Sequence, residues 1–504
     1  MRIVLDRQLK SPMYMQIAGQ VRRAILLGDL VEGAVLPSER RLAEELGVHR
    51  NTVIRAYEQL KDMDLIESHQ GLGYRVTGPL RPDAEPAETP RGGGSVNWPN
   101  LIKDEYLDLD RGYDNIYRRF NSSGGISMAA GVPPYLYTSE EIGEMVKEAL
   151  ETGAMLPAYV SPYQGDQELL KQIRFHLRNK GIYAGPSQIQ ILSETNQALD
   201  FIITALIEPG DAVIIEEPCS PDVYRLMELA GCRIFTVPVD GDGMMTDGLE
   251  KLVTLHDPKF IYVNSSYQDP TTAVLSMERR RAILDISRRY RLPVVEDDAA
   301  SGLHYEDREM PTLKSMDREN NVIYIYSFSL TFIPGMSVAF VVADEQMIQT
   351  MSKLVSVHVI SVNWLTQRLI ARALEDGSYH SHLDLIIQHN RSNRDIMCSW
   401  LDRIGDIGVQ YVKPRGGVYI WVHLPRGVTA DDVVREAAGE RVSVMPGQFY
   451  YPLQNSGHEY IRLNFSYESP EWLTEGMKRL TGVIYRLFKK TPGALPQPRA
   501  ILVP

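Results

Sequence analysis

The stretch Asn321–Asp344, NVIYIYSFSLTFIPGMSVAFVVAD, contains two apolar runs that flank a polar turn. The runs, Val322–Tyr326 and Val338–Val342, are rich in Val, Ile and aromatic residues, a composition typical of buried β-strands. The turn begins with Ser327-Phe328-Ser329-Leu330-Thr331. We therefore expect two buried strands that meet at a functional edge of a sheet.

Strands and helices alternate over the rest of the region around this stretch. Seven segments have the composition of short buried strands: QIQILSE, AVIIEEP, CRIFTVPV, KFIYVNSS, PVVEDDAA, NVIYIYSF and SVAFVVAD. Helical patterns fall between most of them, at Asn196–Ile207, Asp222–Ala230, Met245–His256 and Met277–Arg289. The alternation predicts an α/β body with a mainly parallel seven-stranded sheet covered on both faces. After about Glu345, the helical region Trp364–Ile404, a hairpin, a strand and a closing helix from Pro470 predict a smaller α/β lobe.

The first 77 residues follow a different pattern. Ser11-Pro12 and Gly28 predict the ends of a first helix, and Ser38 and Gly47 those of a second. A third helix is predicted to begin near Arg50. Four apolar residues at i, i+3, i+4 and i+7 give it one buried face: Val53, Ala56, Tyr57 and Leu60. Together with the strand, Gly-x-Gly turn and strand of LIESHQGLGYRV, these helices predict a winged helix-turn-helix.

Charge and composition limit the functions that the chain can have. The 504 residues carry a formal net charge of −12, but residues 1–77 hold 11 Lys and Arg against 10 Asp and Glu, which leaves 42 against 55 for the remainder. Only the first segment is therefore expected to face a phosphate backbone. Three cysteines without metal spacing, no membrane-length apolar run and no signal peptide predict a cytoplasmic protein with no metal and no membrane partner.

The segment LPSERRLAEELGVHRNTVIRAYEQLKDMDLIESHQGLGYRV closely resembles the winged helix-turn-helix of GntR-type transcription regulators. The resemblance places Arg40, Arg50 and Thr52 at DNA, with Gly71 and Gly73 at a wing tip in the minor groove. The predicted DNA-binding set is Ser38, Arg40, Arg50, Asn51, Thr52, Arg55, Gly71 and Gly73. His49 departs from the Ser or Thr usual at its position, which puts the helix cap and one phosphate contact in doubt. A merely solvated helical face is the alternative for the arginines.

The body resembles fold-type I aminotransferases, which use pyridoxal phosphate (PLP), through the markers YQG, LIEPGD, EEP, SYQDPTT, VEDD, SFSLT, RGGVYIWV and YIRLNFS. A GntR-type module followed by such a body is the arrangement of the MocR group of regulators. The resemblance implies a homodimer that binds a double-stranded DNA operator and responds to small molecules. We predict a DNA-binding domain at 1–77, a flexible linker at 78–105, the body at 106–490 with its small lobe from about 345, and a tail at 491–504.

Several positions depart from the family's cofactor site. Leu330 stands where the family has the lysine that forms the Schiff base with PLP, so no amine is available. Four further positions lack the usual phosphate, ring-stacking or tyrosine residue: Glu194, Ser220, Ala299 and Ser337. We therefore expect no catalytic residue and no covalent PLP, and noncovalent PLP is disfavoured. Lys314, in TLKSMD, is predicted to be a surface residue rather than a substitute amine.

Asp297 and Arg462 match the family's partners of the pyridine nitrogen and of a substrate carboxylate, and Tyr267 could line the same cleft. In a functional interpretation, Arg462 clamps the carboxylate of a small metabolite and Asp297 meets an amine. In the alternative interpretation, both residues belong to structural ion pairs or a solvated cleft.

Three functions remain open at this stage. The first is a sequence-specific, MocR-type transcription regulator, not an enzyme, whose body dimerises and could sense a metabolite without covalent PLP. The second is a PLP-dependent aminotransferase with an attached regulatory DNA-binding domain. The third is a structural partner whose body binds another regulator.

Overall fold

The computed structural model describes residues 13–26, 30, 33–62, 65–69, 73–77, 101–103, 106, 125–129, 136–151, 162–306, 309–333, 335–452 and 456–491. The chain divides into two compact units, Met1–Leu107 and Asp108–Pro504. The predicted helix ends at Ser11-Pro12 and Gly28, the wing-tip residue Gly71, most of the predicted linker and nearly all of the predicted tail lie outside the described residues.

The first unit is a three-helix bundle with a β-hairpin. Its elements in chain order are α1 Met13–Leu26, α2 Glu39–Leu46, α3 Arg50–Asp62, β1 Ile66–His69 and β2 Gly73–Val76. Gly47 ends α2 in the left-handed conformation, at φ +61° and ψ 39°, where a side chain would be strained. The predicted face of α3 (Val53, Ala56, Tyr57 and Leu60) is fully buried, and β1 pairs with β2 in antiparallel register. The winged helix-turn-helix prediction is confirmed.

The second unit is built on an eight-stranded mixed sheet. Its strands are β4 Ile189–Leu192, β5 Ala212–Glu217, β6 Arg233–Asp240, β7 Gly243–Met244, β8 Ile261–Asn264, β9 Val294–Asp297, β10 Val322–Ser327 and β11 Ala339–Val342. Their spatial order is β4-β11-β10-β9-β8-β5-β6-β7, and the central pairs from β10 to β6 are parallel. The prediction of seven strands was one too few, because the two-residue β7 is too short to show a periodic pattern.

Helices cover both faces of this sheet. Alternate strand residues point to opposite faces, and apolar residues lie on both. Ile323 and Ile325 of β10 belong to one apolar core, and Tyr324 and Tyr326 belong to another. The helices are α4 Ser139–Glu151, α5 Gln167–Asn179, α6 Thr195–Leu206, α7 Pro221–Leu229, α8 Leu249–His256, α9 Met277–Tyr290, α10 Leu313–Met316 and α11 Glu345–His358. The helix predicted from Met245 begins four residues later, after Gly248 in the left-handed conformation.

The C-terminal part forms a second, four-stranded antiparallel sheet with its own helices. Its elements are α12 Trp364–Asp376, α13 Ser378–Asp402, β12 Gln410–Tyr411, β13 Tyr419–His423, α14 Ala430–Gly439, β15 Met445–Pro446, β16 Tyr460–Asn464 and α15 Pro470–Lys490. The short strand β14, Val442–Ser443, pairs instead with β3, Ile126–Ser127. Gly377 divides the predicted long helical region into α12 and α13. Among the described residues, no helix is long and apolar enough to span a membrane.

Candidate functional site

The turn between α2 and α3 is stabilised by caps at both helix starts. The Ser38 hydroxyl accepts the backbone N–H of Arg41 at 3.3 Å, so this residue caps α2. Nδ1 of His49 accepts the backbone N–H of Asn51 at 3.2 Å, so its ring takes the place of a Ser or Thr hydroxyl at the start of α3. The cap that the sequence left in doubt is present, made by an imidazole nitrogen.

Arg50, the first residue of α3, is held by an acidic residue that the sequence analysis did not single out. Its guanidinium donates to Oε2 of Glu39 from Nη2 at 2.7 Å and from Nε at 3.2 Å. The hydroxyl of Tyr74, on wing strand β2, donates to Oε1 of the same carboxylate at 3.2 Å. Glu39 therefore links α2, α3 and the wing. Its place directly after a helix-capping serine was the only local signal for it.

The other predicted DNA contacts lie on the same unit with different partners. Arg40 is widely exposed and pairs with Glu44 one turn along α2, at 3.2 Å. The guanidinium of Arg55 lies over the ring of Tyr14, 4.6 Å from the centroid. Asn51 is exposed and Thr52 is half-buried on α3. Gly73 has φ +81° and open space around it, which allows a close backbone approach at the wing.

A concavity of about 600 Å³ lies beside the helix-turn-helix. It is lined by Arg40, Ala43, Glu44, Gly47, Val48, His49 and Arg50. Arginine and histidine donors at this surface can bind phosphate oxygens or base edges.

In the second unit, the predicted site residues meet at the edge where the parallel strands end. Asp297 is the last residue of β9, and Ser327 is the last residue of β10. Glu194 follows β4 and is the N-cap residue of α6. Because the carboxyl ends of parallel strands share one edge, this edge is the expected place for a ligand in such a fold.

The Glu194 carboxylate contacts the turn that contains Leu330. Oε1 of Glu194 accepts the Ser329 hydroxyl at 2.7 Å, and Oε2 accepts the Ser327 hydroxyl at 3.3 Å. Ser327 Oγ also accepts the backbone N–H of Ser329 at 3.1 Å. The side chain does not cap its own helix, so both oxygens are directed toward the serine turn.

Leu330 itself is a packing residue. It lies half-buried against an apolar cluster that includes Leu303, Val418 and Tyr419. Three other residues that differ from the family's cofactor site are Ser220, Ala299 and Ser337. Ser220 is the N-cap residue of α7, Ala299 donates its N–H to Asp297 at 3.2 Å, and Ser337 has the strained φ of +45°.

Asp297 is half-buried in an acidic environment. Its Oδ2 accepts the Tyr262 hydroxyl at 2.8 Å, and burial raises the pKa of its carboxyl to about 6. Nearby Glu216, whose Oε2 accepts the N–H of Asn264 at 2.9 Å, has its pKa raised to about 8 by burial. Both carboxyl groups retain a proton to a higher pH than an exposed acid would, because burial disfavours the charged form.

Arg462 is engaged by an acid within the protein. Nη1 donates to both carboxylate oxygens of Asp269, at 2.9 and 3.0 Å, and Nη2 donates to the Ala129 carbonyl at 3.0 Å. The guanidinium also stacks on Tyr419, 3.9 Å from the ring centroid. These contacts match the structural ion pair that was the alternative interpretation of Arg462. No local pattern identified Asp269 as its partner.

Tyr267 is buried with the left-handed φ of +54°. A Cβ atom on Gly416 would lie only 2.2 Å from Cζ of Tyr267. The tyrosine ring therefore fits because residues 416 and 417 are both glycine. The tyrosine, which belongs to the segment SYQDPTT, therefore packs against the glycines of RGGVYIWV.

Lys314 is not at the surface, so that prediction was wrong. Only 9% of its side chain is exposed, and Nζ donates to Asn320 Oδ1 and to the Val322 carbonyl, both at 2.8 Å. Lys180 is a second buried lysine, whose Nζ donates to Ser301 Oγ at 2.8 Å and pairs with Glu309. Burial lowers the pKa of both ammonium groups.

The residues at this edge do not fit pyridoxal phosphate. The turn presents the alkyl side chain of Leu330 where an amine is required, and both lysines described above have acceptors elsewhere. Glu194, the N-cap residue of α6, brings a negative charge next to the helix start, which is otherwise a place suited to a phosphate. Asp297 keeps the type of carboxyl group that the nitrogen of the cofactor ring requires, and it accepts the Tyr262 hydroxyl. The described residues also contain no cluster suited to a metal ion.

Two family models match separate parts of the chain. The model described as "Aminotransferase class I and II" matches residues 123–480, and the model described as "Bacterial regulatory proteins, gntR family" matches residues 13–76.

Relatives of two kinds match different shares of the chain. The uncharacterised HTH-type transcriptional regulator YisV of Bacillus subtilis is 28% identical over 96% of this chain and 98% of its own length. The probable rhizopine catabolism regulatory protein MocR of Rhizobium meliloti is 26% identical over 100% of this chain and 99% of its own length. The 2-aminoadipate transaminase of Thermus thermophilus is 29% identical over 71% of this chain and 89% of its own.

Among solved structures, the α-aminoadipate aminotransferase of Thermus thermophilus, complexed with N-(5'-phosphopyridoxyl)-L-leucine, matches with a TM-score of 0.72 and 27% identity. That match covers 79% of this chain and 100% of the other.

Proposed function

Because this chain belongs to the aminotransferase class I and II family and its residues 13–76 match the gntR family model, we propose that it is a sequence-specific DNA-binding transcription regulator of the MocR type. The observation that carries the proposal is the helix-turn-helix with its paired wing strands β1 and β2, which presents exposed arginines at the turn and on α3. The coverage of the relatives supports it. The regulators match 96% and 100% of the chain, whereas the transaminase matches 71% of it.

In this function, α3 enters the major groove of operator DNA. Arg50, at the start of that helix, is proposed to bind a guanine with its guanidinium, which donates to Glu39 in the DNA-free chain. Arg40 and His49 flank it and can bind phosphates. Gly73 at the wing allows the backbone to approach the minor groove. Such a protein acts in the cytoplasm, beside the DNA.

The body is proposed to have no transaminase activity and no covalent cofactor. An amino-transfer reaction through PLP requires an amine on the enzyme, and Leu330 supplies only an alkyl group packed against apolar neighbours. The family membership keeps an active aminotransferase as the competing function. A visible absorbance band in the purified protein, fixed irreversibly by borohydride, would favour that competitor.

The body is also proposed to form a homodimer and to sense a small carboxylate metabolite. Dimerisation suits the DNA function, because helix-turn-helix dimers read two half-sites spaced by one helical turn. A carboxylate ligand of Arg462 would have to displace Asp269, so binding would break an internal ion pair. That exchange would couple ligand binding to a rearrangement of the edge.

Nuclease protection of the protein's own upstream region tests the central proposal. The wild type is expected to protect one or two half-sites, and no protected fragment at physiological salt would contradict a regulatory function. Thermal denaturation with and without small carboxylates tests sensing, since a ligand of the native state raises the melting temperature by mass action.

A further inference from the structure

The start of helix α6 and the serine turn after β10 together form a place suited to an anion. The positive end of a 12-residue helix faces the sheet edge at Thr195. Across from it, Ser327 and Ser329 direct their hydroxyl groups toward the helix start. A phosphate group held there would use these two hydroxyls and the first N–H groups of α6.

Glu194 already uses both of these hydroxyl donors. One carboxylate oxygen accepts from Ser329 at 2.7 Å and the other from Ser327 at 3.3 Å. The group is half-buried and belongs to the N-cap residue of α6, next to the positive end of the helix dipole, although it accepts no N–H of that helix. We propose that Glu194 is an anion built into the chain, which occupies this position in place of a phosphate and excludes phosphorylated ligands from it.

Two physical effects favour the internal carboxylate over a ligand. The carboxylate is tethered to the helix, so it loses no translational freedom when it meets the serines, whereas a free phosphate does. A phosphate that entered without displacing Glu194 would lie beside a negative charge in a partly buried place, where like charges repel strongly. The carboxylate also fixes the serine turn, because Ser327 is bonded to Glu194 and to the N–H of Ser329.

The inference rests on the proposal that the body has no covalent cofactor, and it makes a separate prediction. Removing the carboxylate should expose a working phosphate position, because the helix start and both hydroxyls remain. The absence of an amine at Leu330 would not by itself give that result. A chain that had merely lost its cofactor contacts would gain nothing from losing one more side chain.

The experiment uses the full chain and inorganic phosphate, with chloride at equal ionic strength as the reference. Four of the five tryptophans lie in the body and the fifth, Trp98, in the predicted linker, so tryptophan fluorescence chiefly reports thermal unfolding of the body. Wild type is expected to show the same melting temperature in both salts. Glu194→Ala is expected to melt lower in chloride and to be raised saturably by phosphate, with at least about tenfold tighter apparent binding than wild type.

Two variants identify the source of that gain. Adding Ser329→Ala to Glu194→Ala should remove most of the phosphate response, because one of the two donors is lost. Asp344→Ala is the matched control, since its carboxylate caps α11 through the N–H of Gln346, at another helix start. The control should melt lower than wild type without gaining a phosphate response.

An equal response in wild type and Glu194→Ala, or an equal gain in Asp344→Ala, would overturn the inference. If Glu194→Ala does not fold, Glu194→Gln decides. It keeps an oxygen for the serines but no charge, so its phosphate binding must exceed that of wild type by at least about threefold, and failure to do so contradicts the inference. DNA protection is measured in parallel, and its absence in wild type would contradict the regulator proposal without altering the phosphate comparison.

Discussion

Arg462 and Asp269 form an ion pair within the body, with Nη1 of the arginine donating to both carboxylate oxygens at 2.9 and 3.0 Å. The arginine side chain is 1% exposed and the aspartate side chain 24%. Of the two interpretations of this arginine, a clamp for a ligand carboxylate or a structural ion pair, these contacts match the second. A metabolite carboxylate that bound Nη1 in the same way would have to replace Asp269.

Replacing Asp269 with alanine should destabilise the body and create a carboxylate site. The change leaves a buried guanidinium without its carboxylate, which typically costs about 3–5 kcal/mol. Acetate should restore part of the loss in Asp269→Ala and none in wild type, as measured by the denaturant midpoint from tryptophan fluorescence. Asp285→Ala, which removes an exposed carboxylate from α9, is the control, and equal rescue of both variants would contradict the prediction.

Replacing Arg50 with alanine should weaken operator binding by roughly 10- to 100-fold, because a lost bidentate base contact costs about 1–3 kcal/mol. Arg41→Ala is the matched control, since Arg41 is an exposed α2 arginine paired with Glu45. Fluorescence anisotropy on the protected fragment measures both variants. Equal losses would indicate that Arg50 contributes only charge.

Replacing His49 with alanine should loosen the start of α3. Losing an N-cap acceptor costs about 1 kcal/mol, so the first amides of the helix should exchange roughly fivefold faster with solvent. His49→Ser should retain slow exchange, because a hydroxyl can accept the same N–H. Hydrogen exchange of the α3 peptide in the full chain measures this, and unchanged exchange in His49→Ala would show that the ring contact to Asn51 is dispensable.

The Glu216 carboxyl should make the body less stable as pH rises. Its pKa is about 8 in the folded state, against an ordinary value of 4.5, so between these pH values the folded state holds the proton that the unfolded state has lost. Stability from this group is therefore complete below about pH 4.5 and is lost toward pH 8, at up to about 1.4 kcal/mol per pH unit.

Glu216→Gln should flatten this part of the pH profile, because the amide does not titrate. Unfolding midpoints between pH 5 and 8 measure the difference from wild type. Asp297, whose pKa is raised to about 6, contributes in the same direction and remains in both proteins. Parallel profiles for wild type and variant would show that Glu216 titrates normally.

Restoring a lysine at the turn should not restore cofactor attachment. In Leu330→Lys the amine is present, but Glu194 still occupies the start of α6 and no further contact is regained. After incubation with PLP and borohydride, mass spectrometry should find no more labelled peptide at this turn than in wild type. Stoichiometric labelling would show that the lysine was the only essential loss.

The sequence predicted the parts of this protein that depend on local pattern. The runs in Asn321–Asp344 became β10 and β11, and the apolar face of α3 became the core of a helix-turn-helix. The missing amine at Leu330 and the carboxylate at Glu194 could also be read directly, because they are single residues at recognisable positions.

Only the tertiary structure decided what these residues contact. Asp269 lies 193 residues before Arg462, Glu194 lies 135 before Ser329, and Glu39 lies 35 before Tyr74. Lys314 resembled a surface residue because lone lysines are usually exposed, yet its ammonium reaches carbonyl and amide oxygens beneath β10. Local periodicity fixes which face of a strand or helix is buried, whereas the partner of a polar side chain depends on which distant strand ends the sheet brings to the same edge.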